Sequence, residues 1–241
     1  MEKLSIVIPA LNEELRLPGT LKELSVYFED NIKDYEHEII VVVPIGTDNT
    51  LEIAKEYKKV FDCEYQIVEP GPKLGKGRDV RAGVMSATGD KIIFMDADLA
   101  TPLHHVSQLL RGLSDEKSMA IGSRNLNAMH TSRLRSLVSR LGNLASKLLV
   151  GVYYEDTQCG FKGFTKEAAE IIFNKQTITG WAFDIELLTI AKRNNINISV
   201  IPIQDWIDVP GGNITDNVLS SSINTLRELL KIRFNIIRGK Y

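Results

Sequence analysis

The chain has 241 residues, of which 44% are hydrophobic and 25% are charged, and its formal net charge is −2 at pH 7. This composition is typical of a folded globular protein and excludes a generally basic nucleic-acid-binding surface. The two cysteines, Cys63 and Cys159, lie far apart in sequence and fit neither a disulfide framework nor a metal-ligand spacing, which favours a reducing cytoplasm. No stretch approaches the roughly 18 apolar residues of a membrane-spanning helix, and no signal-peptide pattern precedes the first strand.

The first hundred residues alternate between short β-branched runs and stretches with helical spacing. Strands are predicted over residues 4–9, 38–43, 65–69 and 91–95. Helices are predicted between them, ending near residues 28, 60 and 87. This rhythm predicts βαβ units and a mostly parallel sheet with helices on both faces. Because no Gly-x-Gly-x-x-Gly follows the first strand, the pattern argues against a dinucleotide site.

The second half of the chain has a looser pattern. Helices are predicted at 103–113, at 134–150 and from about residue 180, with strands at 119–122 and 196–203. The glycine-rich segment 156–164 is interpreted as a strand or loop that packs near the site. Since the sequence contains no repeat, low-complexity run or linker, we expect a single domain over residues 1–241.

Asp96 and Asp98 follow the apolar run 91–95 directly and stand one residue apart. Two carboxylates so placed can turn towards one hard divalent cation, Mg²⁺ or Mn²⁺, and towards the phosphate oxygens that it bridges. For an isolated Asp-x-Asp, a turn that caps the next helix is the commoner explanation. Residues 9–13 and 44–48 are predicted at the same carboxyl edge of the sheet, where ligands of such folds bind.

Residues 217–238 carry leucines and isoleucines at near-helical spacing, with several basic residues between them. The pattern fits a helix docked on the protein or a basic amphipathic helix on anionic lipid, and it slightly favours docking. Asp184 and Glu186 lie in the first turns of another predicted helix, where acidic residues can simply complement the helix dipole.

Six motifs follow one another along the chain. They are Ser5–Glu13, Gly75–Gly77, Asp96–Asp98, Gly122–Arg124, Gln158–Lys162 and Trp181–Glu186. In order and spacing they resemble the family 2 inverting glycosyltransferases of the GT-A fold, and most of all the dolichyl-phosphate (polyprenyl-phosphate) glucosyltransferase branch. The resemblance implies a Rossmann-like nucleotide-sugar-binding half (1–102), an acceptor half (103–216) and a C-terminal amphipathic helix (217–241).

The resemblance further implies a metal-dependent hexosyltransferase that uses a nucleotide-sugar donor, UDP-glucose or alternatively a GDP-sugar. Asp96 and Asp98 would hold Mg²⁺ or Mn²⁺ and the donor diphosphate, with Asp98 acting in catalysis. The remaining contacts to the nucleotide-sugar would come from Pro9, Ala10, Asn12, Glu13, Lys76, Gly77, Arg81 and Ala97.

By the same resemblance the acceptor is polyprenyl or dolichyl phosphate, and Arg124, Arg133 and Arg135 would receive its phosphate. Asp184 and Glu186 stand where hydroxyl-accepting relatives keep a general base. A phosphomonoester has a second pKa of about 6 and is already anionic near neutral pH, so no strong base is needed. We therefore expect Asp184, Glu186 and Asp156 to bind sugar hydroxyls or to position other groups, with inversion at the anomeric carbon.

A lipid-borne acceptor implies a protein that lies peripherally on the cytoplasmic face of a membrane and contributes to protein glycosylation. The sequence departs from the family where Val43-Pro44-Ile45 replaces the usual Asp-Asp-Gly after the second strand, and Asp48 comes several residues later. Two alternatives remain open. One is a family 2 transferase to a sugar or lipid hydroxyl, and the other is a non-catalytic nucleotide-sugar-binding protein.

Overall fold

The computed structural model describes residues 1–125, 146–207, 209 and 218–241, with the side chains of 218–222 excepted. The strands in these ranges are β1 (Glu2–Pro9), β2 (Tyr35–Val42), β3 (Glu64–Val68), β4 (Lys91–Met95), β5 (Ser118–Arg124), β6 (Phe161–Thr165) and β7 (Asn197–Ile203). The helices are α1 (Leu17–Asn31), α2 (Thr50–Tyr57), α3 (Lys76–Ser86), α4 (His105–Arg111), α5 (Lys166–Lys175), α6 (Phe183–Arg193) and α7 (Val218–Ile237). Residues 146–150 are also helical.

The strands form one sheet in the order β3-β2-β1-β4-β6-β5-β7. The strands β1 to β4 run parallel, as do β5 and β7, whereas β6 runs antiparallel between β4 and β5. This topology confirms the predicted α/β fold with a mostly parallel sheet. Because β1, β2 and β4 are parallel, the loops that follow them meet at one edge.

Side-chain alternation along β1 divides the core into two layers. Leu4, Ile6 and Ile8 face a layer formed by α1, α2 and α4, and Val7 faces a layer formed by α3, α5, α6 and α7. Successive residues of a strand point to opposite faces, so a strand covered by helices on both sides must be apolar at nearly every position. The predicted placement of helices on both faces is therefore confirmed.

Two helices differ from the sequence-based prediction. The helix α5 had no predicted counterpart. The helix α1 begins at Leu17 instead of directly after Ala10, because Asn12 has a φ of 56° and Pro18 occupies the first turn of the helix. The loop 10–16 consequently stays at the carboxyl edge of the sheet. Of the predicted helix 134–150, residues 134–145 lie outside the described ranges.

The helix α7 docks on the domain through one face. Leu229 and Ile232 are buried among the residues of the α3, α5 and α6 layer. Glu228 accepts a hydrogen bond from the backbone N–H of Ala182 at 2.9 Å, and Lys231 donates to the carbonyl of Thr177 at 3.1 Å. The tail thus packs against the segment that leads into α6. Within the described ranges, no helix is long and apolar enough to cross a membrane.

Docking of α7 predicts a difference between two adjacent leucines. Leu229→Ala should lower the free energy of unfolding by about 2–4 kcal/mol, because Leu229 is 1% exposed and its removal leaves a cavity. Leu230→Ala makes the same change in the same helix at a side chain that is 51% exposed, and should cost no more than about 0.5 kcal/mol. Urea unfolding of both variants measures the difference. Equal losses would show that α7 does not dock through this face.

Candidate active site

The carboxyl edge of the sheet gathers the ends of β1 and β4 and the start of α3. Asp96 follows β4, and its backbone N–H donates to the carbonyl of Gly160 at 3.2 Å. A Cβ atom at Gly160 would overlap the Asp96 carboxylate. Only a glycine therefore allows the residue directly before β6 to lie so close to this side chain. The position of the first acidic residue is therefore set by a segment more than sixty residues away in sequence.

Lys76 pairs with Asp96 at this edge. Its Nζ lies 2.5 Å from Asp96 Oδ1, and both side chains are partly exposed. Burial acts to lower the pKa of Lys76, but the carboxylates of Asp96, Asp184 and Asp98 outweigh burial and raise it. Gly75, with a φ of 122°, brings the lysine to this position at the start of α3. Lys76 thus contributes a positive charge, held in place by its pairing, beside the acids at this edge.

Asp98 lies in a tight turn after β4. Its Oδ1 accepts a hydrogen bond from the backbone N–H of Ala100 at 3.0 Å, and Leu99 between them has a φ of 52°. The side chain of Asp98 remains partly exposed. One oxygen of Asp98 therefore stabilises a turn, as the commoner explanation of an Asp-x-Asp motif expects. This hydrogen bond does not prevent the carboxylate from binding a ligand.

A third carboxylate, Glu13, belongs to the loop after β1 and lies near enough to Asp98 and Asp96 for their charges to act on it. Burial raises its pKa, the ion pair with Arg16 at 2.6 Å lowers it, and the negative charges of Asp98 and Asp96 raise it further. A divalent cation beside these acids would offset their mutual repulsion. Oxygen ligands of this kind fit Mg²⁺ or Mn²⁺, so the residues present are suited to the cofactor that the sequence predicts.

Asp184 forms a buried ion pair with Lys162 behind the two aspartates. Lys162 Nζ lies 2.6 Å from Asp184 Oδ1, with side-chain exposures of 1% and 5%. Burial raises the pKa of Asp184, whereas Lys162 and Lys76 act to lower it. Lys162 also donates to the carbonyl of Cys159. The role of Lys162 was not predicted, although a lysine between Phe161 and Phe164 in a strand was a signal for a buried partner.

Glu186 is placed differently from Asp184. Its side chain is fully buried and accepts hydrogen bonds from the backbone N–H groups of Thr177 and Ile178, the Thr177 hydroxyl and the Tyr241 hydroxyl. These contacts fasten the segment before α6 and the end of the chain. The structure does not bring Glu186 to the Asp96 carboxylate, and it gives Glu186 a positioning role.

Arg124 and Asp156 form a second buried ion pair, at the end of β5. The guanidinium Nε and one terminal nitrogen lie 2.6 and 3.0 Å from the two Asp156 oxygens, and the Arg124 backbone N–H also donates to Asp156. Burial would raise the pKa of Asp156, but Arg124 holds it below its ordinary value. The Arg124 guanidinium also lies over the Trp206 ring at 5.5 Å. One edge of the guanidinium is thus already occupied by the protein.

The loops after β1 and β2 are joined by polar side chains. Asn12 Oδ1 accepts from the Thr47 N–H at 2.8 Å, and Asp48 Oδ2 accepts from the Glu14 N–H at 3.0 Å. Asp48 Oδ1 accepts from both the N–H and the hydroxyl of Thr50. Both Asp48 oxygens are therefore used within the protein, which gives Asp48 a structural role in this loop.

The other predicted nucleotide contacts fall into two groups. Pro9, Ala10 and Gly77 lie at the carboxyl edge, and Ala97 lies between the two aspartates with its carbonyl bonded to the Thr20 hydroxyl. Arg81 instead donates through Nε to the carbonyl of Phe173 at 2.8 Å, which binds α3 to α5. The structure does not bring Arg81 to the aspartates. Arg133 and Arg135 lie outside the described residues.

A parallel-stranded α/β half, an antiparallel insertion and an acidic pair at the carboxyl edge define a glycosyltransferase of the GT-A type. The sequence profile described as Glycosyl transferase family 2 matches residues 5–173. The chain is 32% identical over 247 residues to a dolichyl-phosphate beta-glucosyltransferase of Trichomonas vaginalis, covering 96% of this chain and 74% of the relative. It is 33% identical over 254 residues to the dolichyl-phosphate beta-glucosyltransferase of Homo sapiens, covering 100% and 78%.

The protein belongs to glycosyltransferase family 2, in the dolichyl-phosphate glucosyltransferase branch. Among solved structures, glucosyl-3-phosphoglycerate synthase from Mycobacterium tuberculosis in complex with Mn²⁺, UDP and glucosyl-3-phosphoglycerate shares its fold. The TM-score is 0.71 at 20% identity over 97% of this chain and 80% of that one. The same synthase was also crystallised with Mg²⁺ and UDP. A divalent cation is therefore supported for proteins with this architecture.

The close approach of Gly160 to Asp96 predicts a sensitive position outside the acidic motif. Gly160→Ala should reduce sugar transfer by about a hundredfold, because the new methyl group must push the Asp96 carboxylate away from its position. Gly19→Ala is the control, since a Cβ atom there meets no neighbouring atom. Transfer rates and thermal unfolding are measured for both. A folded Gly160→Ala variant with unchanged turnover would show that the Asp96 position is not critical.

Proposed function

We propose that this protein transfers glucose from UDP-glucose to the phosphate of a dolichyl or other polyprenyl phosphate, with inversion at the anomeric carbon. The observation that carries the proposal is the Lys76–Asp96 pair at the carboxyl edge, with the charges of Asp98 and Glu13 nearby, in a chain whose relatives are named for this activity. Residues 1–102 would form the donor half and residues 103–216 the acceptor half of one domain. Residues 217–241 would form the C-terminal amphipathic helix.

Donor binding would place the diphosphate over the end of β4. Asp96 and Asp98 would hold Mg²⁺ or Mn²⁺, which when bound neutralises the charge that develops on the departing nucleoside diphosphate. Lys76 adds a positive charge 2.5 Å from Asp96, fixed by its pairing and therefore already oriented before the donor arrives. The Asp184–Lys162 pair lies behind this group and would support the orientation of Lys76.

Both carboxylates that the sequence offered as a general base, Asp184 and Glu186, are engaged by other groups, which supports a phosphate acceptor. A hydroxyl acceptor must lose a proton during attack and would need a carboxylate that is able to take it. Glu186 is fully engaged by four hydrogen-bond donors, and Asp184 is paired with Lys162. A phosphomonoester with a second pKa of about 6 needs neither of them. The two carboxylates would therefore act by positioning, and Asp156 would position Arg124.

Arg124 remains our proposed contact for the acceptor phosphate, but fewer of its N–H donors are available than the sequence suggested. Since Asp156 occupies one edge of its guanidinium, a bound phosphate would meet the donors that are left. Arg133 and Arg135 follow it in the sequence and would add positive charge. We propose the nucleotide contacts at Pro9, Ala10, Asn12, Glu13, Gly77 and Ala97, without Arg81 and without a carboxylate from residues 43–48.

The metal assignment predicts a specific loss in Asp98→Asn. The change removes a negative ligand at almost constant volume, so transfer should fall by at least about a hundredfold while thermal unfolding is nearly unchanged. Asp34→Asn, at an exposed aspartate, is the matched control. The assay incubates radiolabelled UDP-glucose with polyprenyl phosphate and Mn²⁺ and scores the label that enters organic solvent.

Three outcomes of this assay would contradict the proposal in different ways. Full activity of Asp98→Asn at saturating metal would overturn the metal assignment. Label that enters a product only with a hydroxyl-bearing acceptor would establish the alternative transferase. Failure of the wild-type protein with every nucleotide-sugar and acceptor, despite binding UDP, would favour the non-catalytic alternative.

We further propose that the outer face of α7 lies on the membrane that carries the acceptor. Opposite the docked face, large apolar side chains form a stripe that is between 46% and 69% exposed: Ile223, Leu226, Leu230, Phe234 and Ile237. The basic side chains beside it are Arg227, Lys231, Arg233 and Arg238. An apolar stripe with basic flanks fits the interface of an anionic bilayer, where each basic residue contributes about 1 kcal/mol.

The stripe predicts salt-sensitive binding to vesicles. The full-length protein should sediment with vesicles that contain anionic lipid, and high salt should release part of it. The double variant Leu230→Ser with Phe234→Ser should bind about thirtyfold more weakly, because each side chain loses on the order of 1 kcal/mol of burial. Val26→Ser with Val60→Ser removes two exposed apolar side chains elsewhere and should bind normally. Equal binding by both double variants would exclude the α7 stripe as the contact.

A further inference from the structure

A cluster of two histidines and an aspartate lies outside the proposed donor site. His104 and His105 stand at the start of α4, and Asp205 follows β7. His105 Nε2 lies 2.6 Å from Asp205 Oδ1, and His104 Nε2 lies 3.2 Å from Asp205 Oδ2. One ligand atom from each residue lies within 4.8 Å of the others. Two imidazoles thus converge on the two oxygens of a single carboxylate.

The hydrogen bonding of His105 is unusual for a buried histidine. Its side chain is 5% exposed, and its second ring nitrogen, Nδ1, lies 3.2 Å from Gln108 Oε1. An amide oxygen and a carboxylate oxygen both accept hydrogen bonds, whereas a neutral imidazole has a single N–H. With Nδ1–H donating to Gln108, the Nε2 lone pair is directed at the Asp205 carboxylate. Two groups that both carry lone pairs then face each other, and a cation bound between them would remove the repulsion.

We propose that His104, His105 and Asp205 bind a transition-metal ion of the Zn²⁺ class. Two imidazole nitrogens and one carboxylate oxygen are a common zinc ligand set that leaves the fourth position for water. Imidazole favours Zn²⁺ over the oxygen-seeking Mg²⁺ and Mn²⁺, so this site differs in selectivity from the all-carboxylate group at Asp96 and Asp98. Zinc-bound histidines usually donate their other ring N–H to an acceptor that does not itself bind the metal, and this contact fixes their tautomer. Gln108 would be that acceptor for His105.

The required rearrangement is small. Ligands about 2.0–2.1 Å from a tetrahedral ion lie about 3.3 Å apart, close to the present 3.2 Å between His104 and Asp205. The contact between His105 and Asp205 must open by less than about 1 Å. The side chains of His104 and Asp205 are 56% and 51% exposed and can turn without disturbing the core.

A bound ion would join two segments that flank the active site. The Ile207 N–H donates to the carbonyl of Ala100, two residues after Asp98, at 2.9 Å. Trp206, adjacent to Asp205, lies under the Arg124 guanidinium. The ion would therefore fasten the segment after β7 to the start of α4, and with it the loop that carries the two aspartates. Its expected effect is on the stability of this junction and does not depend on the transfer reaction.

The experiment titrates Zn²⁺ into the untagged, metal-stripped full-length protein in excess Mg²⁺ and measures heat and the thermal unfolding midpoint. We expect one Zn²⁺ per chain and a rise in the midpoint, because the ion binds only the folded state. His104→Ala and Asp205→Asn change exposed residues and should each weaken Zn²⁺ binding about tenfold or more. Gln108→Ala should weaken it without removing a ligand.

Two control variants separate this site from the rest of the protein. Asp98→Asn should bind Zn²⁺ normally, which keeps the test independent of the proposed transferase function. His37→Gln removes an imidazole whose ring stacks on Phe28, and it should also leave Zn²⁺ affinity unchanged. Absence of Zn²⁺ binding in the wild-type protein would overturn the proposal, and so would wild-type affinity in both His104→Ala and Asp205→Asn. Either result would leave the contact between His105 and Asp205 as a hydrogen bond within the protein.

Discussion

The candidate active-site edge depends on an alternation of positive and negative charges. Lys162 pairs with Asp184, Asp184 and Asp96 act on Lys76, and Lys76 pairs with Asp96. Each charge is stabilised by the next. Lys162 and Asp184 are buried, and either one unpaired would carry a desolvation cost of several kcal/mol, whereas Lys76 and Asp96 are partly exposed. Removing any member leaves a neighbour uncompensated. The fixed geometry of the acidic pair therefore reflects electrostatic balance as well as the sheet that carries it.

The antiparallel strand β6 makes that alternation possible. It lies between β4 and β5 and brings Gly160 and Lys162 against the end of β4. A parallel strand in the same place would present its opposite end to this edge. The insertion of one reversed strand thus adds a second wall beside the parallel half of the sheet, and the Arg124–Asp156 pair at the end of β5 extends that wall.

The tail helix docks on the domain and still leaves an apolar stripe exposed, so docking and our proposed membrane contact are compatible although the sequence presented them as alternatives. Leu229, Ile232 and Asn235 face the core, while the more hydrophobic stripe points outward with basic residues beside it. Periodicity alone shows that a helix has apolar residues on one broad side. It does not show which part of that side is covered, because coverage depends on the surface of the partner. Glu228 and Lys231, which bond to the segment before α6, decide the orientation.

The sequence by itself determined the α/β class, the strands that end at the acidic pair, and the family. These features follow from local periodicity and from motifs whose residues are close together in the chain. Only the tertiary structure showed that Glu186 and Arg81 form hydrogen bonds at a distance from Asp96 and Asp98. It also showed that the carboxylate oxygens of Asp48 and Asp156 accept hydrogen bonds from other residues of the protein. It also revealed α5, the role of Gly160 and the cluster of His104, His105 and Asp205. The chemistry of a side chain follows from its residue type. Its hydrogen-bond and ion-pair partners, however, come from segments that are distant in sequence and that only the folded chain brings together.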